Sequence, residues 1–172
     1  MDLFGMLSGT PAILARIAAQ VPAELVRVRS GPFALVEHVW HMADLEREFA
    51  ERIRRLLGEA DPFLPDFDGE RIAKERQYLT LDLAAGLTAF AAAREETLRF
   101  LGAVASEAWA RCGRQEGVGA VSLAEMPGRI VDHDRAHLNE ISDLLADLVP
   151  AHPMIAELRA VAQGGPKSSK AA

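Results

Sequence analysis

The run VDHDRAHLNEI, Val131 to Ile141, sets His133 and His137 four positions apart in a stretch of helical periodicity. Side chains at i and i+4 share one helix face, with Cβ atoms about 5–6 Å apart. Two imidazoles at that spacing can reach one metal ion. The same spacing also suits two polar residues at the edge of an amphipathic helix, and for an isolated HxxxH that plainer reading has the better odds. The choice depends on which way the pair faces. At 100° per residue, the apolar stripe of this helix centres near Ile130, Ile141 and Leu148. His137 falls within about 30° of that centre, Asp134 about 30° to its other side, and His133 within about 70°. Arg135 and Asn139 point away. A His, Asp, His cluster therefore faces the core.

Working outward, the chain reads as four long amphipathic helices. The last opens near Ser122, where SLAE has the form of a capping box between Ser122 and Glu125. Pro127 follows, and a kink or break is expected there. The first helix is expected from Thr10 as N-cap with Pro11 at the first helical position, on a stripe of Ile13, Leu14, Ile17 and Val21. The second runs through FALVEHVWHMADLEREFAERIRRLL, with Ser30 or Gly31 before it and Gly58 as the residue that ends it. The third, DLAAGLTAFAAAREETLRFLGAV, takes Thr80 or Asp82 as its cap. GEADPFLPDFDGERIAKERQYLT is a long connection with one short helix over Arg71–Arg76, and RCGRQEGVGAVS reads as an irregular glycine-rich loop. A short helix is expected over Met154–Val161. With no convincing strand pattern, the fold class is all-α, a four-helix bundle. Residues 1–162 form one domain, and 163–172 are expected to be a disordered tail.

Composition narrows the function. The 172 residues suffice for one domain with a real core, and 49% are hydrophobic. The net charge of −6, without a cluster of Lys and Arg, argues against nucleic acid as a partner. No apolar run approaches a bilayer span and the N-terminus makes a poor signal peptide, so a soluble cytoplasmic protein is expected. The single Cys112 forms no intrachain disulfide and, lacking a basic neighbour, is read as inert. GVGAVS follows no strand and lacks the lysine of a phosphate-binding loop.

A third ligand must come from elsewhere, and the second helix offers His38 and His41. On the helical wheel His38 sits nearer the stripe centre and His41 on its flank. A ligand lining a cavity at one bundle end need not sit mid-stripe, so both stay open. Glu37 and Glu48, near His41, read as solvated charge. Two charges stand where apolar residues belong: Glu46 in the second helix and Arg94 in the third, the latter in register with Leu83, Leu87, Phe90 and Leu101. Buried charges are usually paired, so a Glu46–Arg94 bridge is expected, with binding of an anionic substrate group by Arg94 as the alternative.

With these residues in view, GPFALVEHVWHMADLE and HDRAHLNEI resemble the signatures of the DinB/YfiT-like proteins. There an aromatic residue, here Phe33 in place of the commoner tryptophan, precedes a helix-two histidine, and an HxxxH helix lies near the C-terminus. The resemblance covers roughly residues 10 to 150. It implies an up-down-down-up bundle with a long crossover between helices two and three. It also implies a divalent metal, commonly nickel or zinc, held by His41, His133 and His137, with His38 as the alternative that periodicity prefers. Asp134 would orient a ligand imidazole or accept a proton from the bound group. Relatives include transferases and isomerases dependent on low-molecular-weight thiols such as bacillithiol, mycothiol or glutathione. Others have no known activity, and homodimers are frequent. The resemblance therefore implies a metal-dependent thiol S-transferase or isomerase acting on a small molecule, or else a non-catalytic metal-binding or stress-response protein. Three histidines leave coordination positions open, as catalytic sites do.

Overall fold

The computed structural model describes residues 3–163. Four long helices form the bundle: α1 (Leu3–Ala18), α2 (Leu35–Gly58), α4 (Leu83–Gly102) and α5 (Met126–Leu148). The short α3 (Gly69–Arg76) lies in the crossover between α2 and α4, and α6 (Ile155–Ala162) packs on α5. Trp40 of α2 meets Asp82 and Gly86 at the start of α4, and Glu46 meets Arg94 further along, so these two helices run parallel. α5 runs against them, with His38 opposite His137 and His41 opposite His133. α1 lies alongside α5 and packs on α4. The order is thus up-down-down-up, the all-α four-helix class the sequence indicates. Among the described residues no helix is long and apolar enough to cross a membrane. The tail expected over 163–172 falls, from Gly164 on, outside the described residues.

Local chemistry explains most helix ends. Asp82 caps α4 by accepting from the Ala85 N–H at 2.7 Å, and Asp68 caps α3 through the Arg71 N–H at 2.9 Å. α2 begins later than expected, after Ala34. Ala34 has no side-chain acceptor, and Glu37 reaches back to its N–H at 2.9 Å. Gly58 is the last residue of α2, not a residue beyond it. Ser122 and Glu125 do pair, but they frame a separate 3₁₀ turn, Leu123–Glu125. α5 starts after that turn, at Met126, which puts Pro127 in its first turn, where a missing N–H costs nothing.

Two further expectations are corrected. α1 begins at Leu3, so Thr10 is no cap and Pro11 lies inside the helix. Pro11 has no N–H to give the Leu7 carbonyl one turn back. The Arg94 guanidinium gives it instead, with Nη1 2.8 Å from the Leu7 oxygen. The second correction is a small sheet of order β1-β2-β3 where irregular loop was expected. β1 (Phe63–Leu64) pairs parallel with β2 (Cys112–Gln115), which forms a hairpin with β3 (Gly119–Ser122). The hairpin turn uses positive φ at Gly117 and Gly119. A Cβ on Gly113 would stand 2.7 Å from the Pro62 carbonyl oxygen, which fixes glycine where β2 crosses the connection.

The core has two apolar clusters. One, with Leu14, Ile17, Leu35, Val39, Phe90 and Ile141, surrounds one end of the bundle. The other, with Leu7, Phe49, Ile53, Leu64, Leu101 and Ile130, seals the sheet to the opposite end. Between them runs a belt of buried polar groups: Thr10, Glu46, Arg94 and Asp134, with His41 and His137 beside it.

Candidate metal centre

Four of the chain's five histidines meet at one point. α2 contributes His38 and His41, and α5 contributes His133 and His137. Both wheel candidates therefore turn inward. Residues three apart on a helix share a face, and two facing helices bring all four rings together. His41 Nε2 lies 3.2 Å from His133 Nε2, and ring centroids are 4.7 Å apart for His41–His137 and 4.5 Å for His133–His137. One nitrogen from each of His41, His133 and His137 lies within 4.8 Å of the others. His38 meets the group from the side, its Nδ1 3.0 Å from His137 Nδ1.

The rings are crowded with aromatic neighbours. Phe33 packs against His38 and His41, Phe67 against His41, and Phe49 against His133. His38, His41 and His137 are buried, and His133 is partly exposed. Burial first, and the neighbouring His137 next, lower His38 to about 3 and His41 to about 4. Dense surroundings, His137, His41 and then Arg94 push His133 down to about 2. These three imidazoles are therefore neutral near pH 7 and have lone pairs to offer.

The donor set suits a divalent cation of the zinc or nickel type, which imidazole binds well. His41 Nδ1 is buried without a hydrogen bond, and its Nε2 meets His133 Nε2 at 3.2 Å. His137 is oriented by Glu140, whose Oε2 is 3.1 Å from Nδ1. With Nδ1 so engaged, Nε2 is the nitrogen left for an ion shared with His41 and His133, the carboxylate–imidazole arrangement common around bound metals. Glu140 was missed in the sequence, although it stands one helical turn after His137 on the same face.

Asp134, the residue expected to orient a ligand ring, does something else. It accepts from Arg94 Nη1 at 2.8 Å and Nη2 at 2.9 Å, and the Thr10 hydroxyl lies 2.7 Å from its Oδ2. Arg94 Nη2 also donates to Glu46 Oε2 at 2.8 Å. With the bond to Leu7, one guanidinium joins α4 to α1, α2 and α5, directly beneath the histidines. Both Nη atoms of Arg94 are thus committed within the protein, while its Nε is buried without a hydrogen bond. Glu37, read as solvated, is buried and paired with Arg29. Glu48 is partly buried against Arg52 at 3.0 Å. Cys112 is exposed on β2, away from the cluster's lining.

A cavity of about 610 Å³ opens onto His41, His137 and Glu140. Its far wall is the crossover, through Gly69, Ala73 and Tyr78, with Arg29 and Lys74 at its sides. Asp44 of α2 holds that wall in place by accepting from Arg76 and the Tyr78 hydroxyl, while Arg76 stacks over Trp40 at 5.0 Å. Gly69 presses on the site itself, since a Cβ there would come within 2.5 Å of His41 Cε1. Gly69→Ala is expected to tilt His41 and weaken zinc binding about 10–100-fold, while helical circular dichroism stays unchanged. Competition titration against a zinc chelator measures it, and unaltered affinity would show that His41 is not held by that contact.

Acid should reveal the buried imidazoles in the metal-free protein. Unfolded histidines protonate near 6.5, roughly, whereas His38 and His41 stay neutral to about 3 and about 4. The unfolded state then binds more protons, so stability is greatest above the unfolded value and declines as pH falls through that window. Denaturant melts from pH 7.5 to 4 should show the decline, and His38→Phe should reduce its slope. A flat profile would contradict the burial of these rings.

A family model of the DinB superfamily matches residues 6–141, and the chain belongs to that superfamily. No curated protein matches the chain. Among solved structures, YfiT from Bacillus subtilis, described as a probable metal-dependent hydrolase with an unusual four-helix bundle topology, superposes with a TM-score of 0.78. It is 18% identical, and the match covers 85% of each chain.

Proposed function

We propose that this protein is a divalent-metal-dependent enzyme in which His41, His133 and His137 hold the ion and a small-molecule substrate enters the cavity beside them. The observation that carries this reading is the convergence of three imidazole nitrogens, two of them on rings that line a cavity large enough for a ligand. The reaction we favour is transfer or isomerisation that uses a low-molecular-weight thiol as cosubstrate. A divalent ion supplies the charge that converts a bound thiol to its nucleophilic thiolate. Glu140 keeps His137 in the tautomer whose Nε2 faces that ion, and its carboxylate sits at the cavity, where it can accept the thiol proton. Phe33 and Phe67 keep water from the floor, while Lys74 offers a cationic group to a carboxylate-bearing ligand.

A second reading, hydrolysis by water at the same open position, is favoured by the description of YfiT. The test is a purification without a His tag, metal analysis, and turnover of a panel of electrophiles with each of several thiols and of ester and amide substrates without thiol. Thiol-dependent, metal-dependent turnover supports the first reading, and thiol-independent hydrolysis the second. Metal without any turnover would point to a binding protein of the same fold.

A further inference from the structure

We propose that His38, His137 and Glu140 form a second cation site that shares the His137 ring with the first. The inference rests on metal binding at His41, His133 and His137, and it adds an ion those residues do not account for. His38 Nδ1 and His137 Nδ1 are 3.0 Å apart, and Glu140 Oε2 lies 3.1 Å from the latter and 3.7 Å from the former. Bonds of about 2.0–2.2 Å in a tetrahedral site give donor–donor edges of about 3.3–3.6 Å. The three separations bracket that range, so one ion could lie at bonding distance from all three.

Hydrogen bonding alone satisfies this triangle poorly. His137 Nδ1 has one in-plane direction, holding either a proton or a lone pair. With a proton it serves Glu140 and must share the same hydrogen with His38. With a lone pair it accepts from His38 but confronts the Glu140 carboxylate at 3.1 Å. A cation between them satisfies all three groups at once, and the carboxylate offsets part of its charge. His38 is 1% exposed, so nothing but a small ligand can reach its Nδ1. The open side is the cavity, which Glu140 and His137 both line.

The two sites use different nitrogens of one ring. His137 Nε2 serves His41 and His133, and Nδ1 serves His38 and Glu140. A second ion would need the Nδ1 lone pair, so His137 would give that proton up to solvent and serve one site with each ring nitrogen. Glu140 then exchanges its hydrogen bond for a metal bond.

Titration of the metal-free full chain with zinc tests this, with bound metal per chain measured after equilibrium dialysis. The wild type is expected to hold two ions. His38→Ala and Glu140→Gln should each hold one, with the same circular dichroism. His41→Ala should also hold one, and His137→Ala none. Copper(II) gives an independent readout. Filling the second site should quench the electron paramagnetic resonance signal of the first through coupling across the shared ring, and His38→Ala should restore an isolated-ion signal. One ion in the wild type, kept in His38→Ala and lost in His41→Ala, would overturn the second site and leave the proposed function standing. No ion at all would overturn both. Loss of both ions in His38→Ala would also overturn the proposal, because the sites would not be separable.

Discussion

Arg94→Met should destabilise the protein by about 3–5 kcal/mol, the usual cost of removing one member of a buried charged group. The side chain is 1% exposed and faces Glu46, Asp134 and the Leu7 carbonyl together. Methionine fills similar volume but takes the guanidinium donors from two carboxylates and a carbonyl, leaving Asp134 only the Thr10 hydroxyl. Glu46→Gln should cost less, because the amide oxygen still accepts from Nη2. The double variant should cost less than the two single changes added, since Arg94 is no longer present to lose a partner. Urea denaturation of the three variants measures the coupling. Strict additivity would count against the direct pair seen at 2.8 Å.

The second large effect concerns the metal. His137→Ala should abolish tight binding of zinc or nickel, because that ring reaches both His41 and His133. It should leave the helical signal almost intact. Two apolar clusters hold the bundle, whereas domains that depend on a metal to fold lack such a core. Chelation of the wild type should therefore lower the melting temperature without unfolding the protein. At an ion concentration of about one hundred times Kd, the linkage amounts to about 2.7 kcal/mol. Unfolding by chelator alone at room temperature would make the site structural. An unchanged melt in a sample first shown to carry metal at these histidines would refute the linkage.

Much of this was legible in the sequence. The long helices announce themselves because twenty or so residues repeat a 3.6 period several times over. Strands of two and four residues offer no repeat to detect, so the sheet stayed hidden. Arg94 and Glu46 were visible as charges inside apolar stripes. That Asp134 would join them, in place of orienting a histidine, depends on which helices become neighbours, which no single stripe encodes. The wheel favoured His38 and the family pattern His41, and the structure turns both inward, because the imidazoles fill the gap between two facing helices. Glu140 was within view, but its position mattered only once His137 had been given a direction.

Pro11 has a consequence for how the bundle chooses its arrangement. Four apolar stripes alone would tolerate α1 slid by a turn, since one leucine replaces another at little cost. The carbonyl of Leu7 breaks that degeneracy. It is the one backbone oxygen the proline leaves unclaimed by its own helix, and only the observed placement of α1 sets it against Nη1 of Arg94. A shift of one turn would bury that oxygen unsatisfied and take Thr10 away from Asp134. The imperfection in α1 acts as a positional key: it is matched by a single lock on α4, and it sets the depth at which the helix seats behind the histidines.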